Sequence, residues 1–173
     1  MRRLSYIIRR VWSSLVTWPD VRGWAQCGII AALGFGLIAA VAFRAGIAHW
    51  QPAFVGWPLR LVKAMIVPAL TEELLFRGLL IPGRGDSVRP GRWIAAGLVL
   101  FVAWHAVEAL TFLPGARLFL TAPFLLCAAI LGAGCAWMRY RTGSLWPAVL
   151  FHGLTVFVWQ SAFGGPDVAQ LLK

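Results

Sequence analysis

Charge is what this sequence has least of. Only 13% of its 173 residues are charged, while 60% are hydrophobic. A soluble domain carries about 25% charged and roughly 45–50% apolar residues, so the composition excludes a water-soluble globule and reads as an integral membrane protein. Acidic residues are the scarcer sign: six against sixteen Lys and Arg, for a formal net charge of +10. The basic residues are scattered between apolar runs rather than gathered on one face. They read as topology signals and contacts to anionic lipid headgroups, not as a nucleic-acid surface. Cysteine is also rare. Cys27, Cys127 and Cys135 fall in apolar runs with no C-x-x-C and no regular spacing; they read as small buried apolar residues and leave the redox compartment open. No internal repeat and no low-complexity linker is present. The length suits one domain, and a transporter built on repeats is disfavoured.

Long apolar runs are what the chain has in their place. Met1 to Arg22 carries five arginines among apolar and aromatic residues. This segment, residues 1–22, reads as a basic amphipathic helix on the cytoplasmic surface. The next apolar run is long and has no clear A-x-A site, so a cleaved signal peptide is the weaker reading. Residues 23–173 form the transmembrane domain. Its expected spans are Trp24–Phe43, Trp57–Ile81, Trp93–Phe112, Leu118–Met138 and Ser144–Phe163. The fold class is therefore all-α: a polytopic transmembrane helix bundle of about five spans. Ten tryptophans fit it, since indoles favour membrane interfaces. Pro68 removes a backbone hydrogen bond to residue 64 and is expected to kink the second span just before two glutamates. With the N-terminus inside, the loops divide their basic residues ten inside to five outside, with Arg77 intramembrane. The cytoplasmic tally includes Arg84. That asymmetry predicts a multi-pass protein of the cell (inner) membrane with a cytoplasmic N-terminus.

The few charges inside the spans carry the chemistry. An ionised group at the bilayer centre costs at least ~2.5–3.5 kcal/mol, so each needs a reason to be there. Glu72, His105 and His152 lie on three different spans, at depths of roughly 12–18 Å from the cytoplasmic ends. Glu73 and Arg77 are four apart and form an ion pair on one helix face. That pair reads as helix glue as readily as function. Glu72 is turned about 100° from Glu73 and faces the histidines through a water-filled cavity. Glu108, three residues beyond His105, reads as a solvated or histidine-orienting acid. Two chemistries fit a glutamate and two histidines at one level. One is a two-His, one-carboxylate zinc site, weakened by the absence of H-E-x-x-H. The other is metal-free hydrolysis, with a carboxylate and a histidine sharing one water. Two motifs are set aside. Gly83-Arg84-Gly85-Asp86 lies in a basic loop with no second intramembrane aspartate, and Ser144 reads as a helix start rather than a partner for His152.

The arrangement resembles the CAAX-protease and bacteriocin-processing (CPBP) group of glutamic intramembrane proteases. The likeness is carried by E-E-x-x-x-R at Glu72, Glu73 and Arg77, by F-x-x-x-H at Phe101 and His105, and by His152 on a later span. It covers about Trp57 to Phe163. It implies an intramembrane endopeptidase without a cofactor, in which Glu72 activates water with help from His105. His152 stabilises the oxyanion, and Glu73 and Arg77 hold the second span in place. Where the family has asparagine, four residues after the last histidine, this chain has Val156. Thr155 or a backbone N–H is then the substitute donor. The implied substrate is a membrane-anchored protein or peptide, with C-terminal sorting tails of exported proteins preferred. The competing class is a non-catalytic membrane binding or scaffold protein of the same fold.

Overall fold

The computed structural model describes residues 2–83 and 89–173. Arg84 of the basic tally, and the Arg84, Gly85 and Asp86 of the motif set aside, lie outside the described residues. The chain is a helical membrane bundle, and its regular elements follow the apolar runs. Helix α1 (Arg2–Val16) leads through a short turn to α2 (Val21–Arg44), whose first turn is capped by Asp20 accepting from the Gly23 N–H at 2.7 Å. The second span is interrupted: α3 (Trp57–Ala64), a wide-turned segment Met65–Leu70, α4 (Thr71–Glu73) and a second wide-turned segment Leu74–Leu79. Next come α5 (Pro90–Thr111), a 3₁₀ turn Arg117–Leu120, α6 (Ala122–Thr142), α7 (Trp146–Ala162) and α8 (Val168–Leu171). Among the described residues the only strand-like pairing is a parallel bridge between Gln51 and Phe163.

Helices α2, α5 and α6 are long and apolar enough to cross a membrane. The other two expected spans are the interrupted one and α7, whose 17 residues rise about 26 Å, close to the hydrocarbon thickness. Half of the apolar window of α6 (50%) is buried against 17% for α2 and α5, which makes α6 the centre of the bundle. Helices α2, α5 and α7 pack around it, and their outer faces (Ile29, Leu33 and Leu37 on α2; Val99 and Leu110 on α5) are exposed as lipid-facing residues would be. Lipid tails offer helices no hydrophobic drive to associate, so close approach at small residues takes its place. A Cβ at Gly34 would sit 2.5 Å from the Phe151 ring, and one at Gly153 would run into Met65 Sδ.

Helix α1 is docked on the bundle as well as amphipathic. The Arg10 guanidinium donates to the Leu79 carbonyl, one of the groups a helix end leaves unsatisfied. The Leu145 N–H donates to Ser14 O at 2.9 Å, and Trp146 Nε1 donates to Leu15 O at 2.8 Å. Tyr6, Ile8, Trp12 and Val16 stay exposed. These contacts define an α1 end of the molecule, where the start of α7 and the finish of the second span also lie. At the opposite end, Gln51 and Ala53 N–H groups donate to Ala162 O at 2.9 Å and Ser161 O at 2.8 Å, beyond the last turn of α2.

Candidate active site

Proline sets the site up. Its ring disfavours helical geometry for the residue before it, and Val67 accordingly has φ −130° and ψ 110°. The expected kink at Pro68 is thus a full break at Val67, one residue earlier. The helix restarts at once, with the Thr71 hydroxyl donating to Pro68 O at 3.0 Å. Glu72 and Glu73 follow one turn after the restart.

The two acids meet different fates. Glu73 is fully buried. Its Oε1 accepts from Arg77 Nη1 at 3.1 Å, the ion pair expected from the i, i+4 spacing. The same oxygen lies 2.9 Å from His152 Nδ1, a link from the second span to α7. Arg77 Nη2 donates to Gly132 O at 3.0 Å, and its guanidinium carbon lies 4.0 Å from the centre of the Phe101 ring. One buried network therefore joins the second span, α5, α6 and α7. Glu72 is 7% exposed, and its Oε2 has no hydrogen-bond partner among the described residues.

His105 is held from its own helix. Its Nδ1 is 2.9 Å from Phe101 O, and a carbonyl can only accept, so Nδ1 carries the proton. The neutral ring then presents Nε2 as a lone pair. Its flanks are the rings of Phe119 and Phe124, which stack on each other at 4.3 Å. His105 is thus oriented by the Phe101 carbonyl, and the half-buried Glu108 lines the same cavity.

Glu72, His105, Glu108, His152, Thr155 and Val156 all line one cavity of about 560 Å3. Most of its wall is apolar, including Phe35 to Phe43 of α2, Phe124 to Leu131 of α6 and Trp159 of α7. Each helix contributes the half nearer the end opposite α1. The cavity therefore runs from the charged cluster toward that end. The second span meets α5 at Phe76, whose ring lies 5.4 Å from that of Phe101. Residues 57–70 pack on α7 instead. Above Phe76 the two helices part, and the cavity wall there includes the exposed Val67, Leu75 and Phe112.

Thr155 lies at the cavity but donates its hydroxyl proton to Phe151 O at 2.7 Å, so in this arrangement it offers the cavity an acceptor. Ser144 is buried outside the cavity lining, and its Oγ accepts from the Trp146 N–H at 3.2 Å, the helix-start role its position suggests. Among the described residues no group of three His, Cys, Asp or Glu is arranged to hold a metal ion. The contact that sequence reasoning missed is Glu73 with His152. It depends on the relative rotation of two spans 79 residues apart, for which no local spacing gives a signal.

No curated protein and no solved structure matches the chain. Residues 54–158 match the family described as Type II CAAX prenyl endopeptidase Rce1-like. The matched stretch is well over half the chain and contains the whole cluster just described, from Glu72 to Val156. The chain belongs to this Rce1-like family of CAAX-type intramembrane proteases, within the CPBP group.

Proposed function

We propose that the protein is a metal-independent glutamic endopeptidase of the cell membrane that cuts a peptide bond in or beside a membrane segment of its substrate. The observation that carries this reading is the meeting at one cavity of Glu72, whose Oε2 has no hydrogen-bond partner among the described residues, and a His105 ring fixed by Phe101 O. Glu72 takes a proton from water while His105 Nε2 accepts a hydrogen bond from the water's other proton. The hydroxide adds to the scissile carbonyl carbon. Glu72 then passes its proton to the leaving amine as the C–N bond breaks, giving a free carboxylate end and a free amine end.

His152 faces the developing oxyanion. With Nδ1 on Glu73, its Nε2 donates only in the imidazolium form, whose charge the Glu73 carboxylate meets directly. Arg77 holds Glu73 in place. The N-terminus is cytoplasmic, so the cavity faces the extracytoplasmic half of the bilayer. That position suits a C-terminal tail on an exported protein. The parting of the second span from α5 offers such a tail a route in from the lipid.

One observation favours a non-catalytic relative of the same fold. Val156 supplies no amide and the Thr155 proton is committed to Phe151 O, so the oxyanion side has few donors. The test is cleavage of a candidate tail substrate by the purified protein, by Glu72→Ala and by His105→Ala, with and without chelator. Cleavage by wild type alone, indifferent to chelator, is expected. Full activity in Glu72→Ala, or loss with chelator, refutes the mechanism.

A further inference from the structure

At the α1 end, away from the candidate active site, the turn between α1 and α2 and the last turn of α6 enclose a second cavity of about 580 Å3. Its wall includes Trp18, Asp20, Arg22, Gln26, Arg141 and Thr142, and the proposed hydrolysis uses none of them.

Charge comes first. Arg22 and Arg141 reach the cleft from different helices, and neither makes a hydrogen bond or ion pair among the described residues. The one carboxylate present, Asp20, is turned to the start of α2, where it accepts from the Gly23 N–H at 2.7 Å. The Thr142 hydroxyl is spent on Met138 O at 2.8 Å, which leaves the two guanidiniums, the Gln26 amide and the Trp18 indole N–H as side-chain donors. Position comes second. The cleft lies at the first turn of one membrane-crossing helix and the last turn of another, the depth at which headgroups lie. Aromatic support comes third. Trp18 packs against Trp24 at 5.4 Å and Trp146 at 6.3 Å, an indole cluster of the kind that settles at membrane interfaces. Two guanidiniums from separate helices, facing one polar cleft at that depth, match a phosphodiester, whose oxygens accept the planar donor fork of arginine.

We propose that this cleft binds the phosphate of an anionic phospholipid headgroup and so clamps the α1–α2 turn to α6. The experiment is native mass spectrometry of the detergent-purified protein with phosphatidylglycerol, phosphatidylcholine or inorganic phosphate added. It compares wild type, Arg22→Gln/Arg141→Gln and Arg44→Gln, the last at the far end of α2. Wild type and Arg44→Gln should retain phosphatidylglycerol over phosphatidylcholine by roughly 10-fold or more, and the double variant should lose that preference. Circular dichroism and melting check that the double variant is folded; if it is not, the single Arg22→Gln variant, altered at an exposed residue, takes its place. The proposal is overturned if wild type shows no such preference, if a folded arginine variant keeps it in full, or if millimolar inorganic phosphate displaces the lipid completely.

Discussion

Glu73 Oε1 lies 2.9 Å from His152 Nδ1, joining the second span to α7 beneath the cavity, and the same oxygen neutralises Arg77. Breaking a buried pair by removing one partner costs about 3–5 kcal/mol, because the other charge is left uncompensated. Glu73→Gln should therefore lower the melting temperature sharply as well as impair cleavage. Glu72→Gln replaces a carboxylate whose buried Oε2 has no hydrogen-bond partner among the described residues, and should leave stability unchanged or higher. Thermal unfolding of the two variants side by side checks this, and equal destabilisation would mean the two acids share one structural role.

The close approach at Gly132 supports the same network. A Cβ there would lie 2.9 Å from Arg77 Nη2 and 2.8 Å from Phe101 Cδ1. Gly132→Ala should push Arg77 off the Gly132 carbonyl and cost about 1–3 kcal/mol by overpacking, read as a fall in melting temperature. Gly36→Ala, where a Cβ meets nothing within 4 Å, is the control and should be nearly neutral.

The oxyanion side makes a separate prediction. If the Thr155 hydroxyl stays on Phe151 O, Thr155→Val should change kcat by no more than a few-fold. Val156→Asn adds an amide at the cavity wall. A single oxyanion donor is worth about 100–1,000-fold in kcat, so a gain of ~10-fold or more is expected even with imperfect geometry. Steady-state cleavage rates decide both, and a Thr155→Val enzyme reduced ~100-fold would make the hydroxyl a donor after all.

Substrate access can be mapped with a photoreactive amino acid. Placed at Leu75 or Phe112, on the two sides of the parting helices, it should crosslink a tail substrate. Placed at Leu33, on the lipid face of α2, it should not. Crosslinking at Leu33 equal to that at Leu75 would argue against entry between the second span and α5.

Much of this molecule could be read before any coordinates, and what could not has a common cause. Local rules work within one helix. The i, i+4 spacing gave Glu73 with Arg77, runs of about twenty apolar residues gave α2, α5 and α6, and Pro68 marked the interruption. The break falls on Val67 because proline constrains its predecessor more than itself. Contacts between helices were not legible, because they depend on how each span is rotated about its axis. Glu73 to His152, Arg77 to the Gly132 carbonyl and the docking of α1 through Ser14 and Leu15 are all of this kind. The Thr155 hydroxyl is the exception, a local bond: its proton is claimed by the Phe151 carbonyl one turn back in its own helix. The cavity joining Glu72, His105 and His152 follows from three polar groups at one depth, but its extension away from α1 required the helix packing.

In the proposed mechanism Glu72, not Glu73, activates the water. That assignment is tested most directly by single-turnover cleavage with Glu72→Gln at saturating enzyme, beside a melting curve of the same preparation. The account predicts a chemical step slowed at least ~1,000-fold, on the scale of losing the general base together with its contacts to the developing charge, with the melting temperature held. A Glu72→Gln protein that cleaves within a few-fold of wild type, or that loses activity only because it no longer folds, would contradict it.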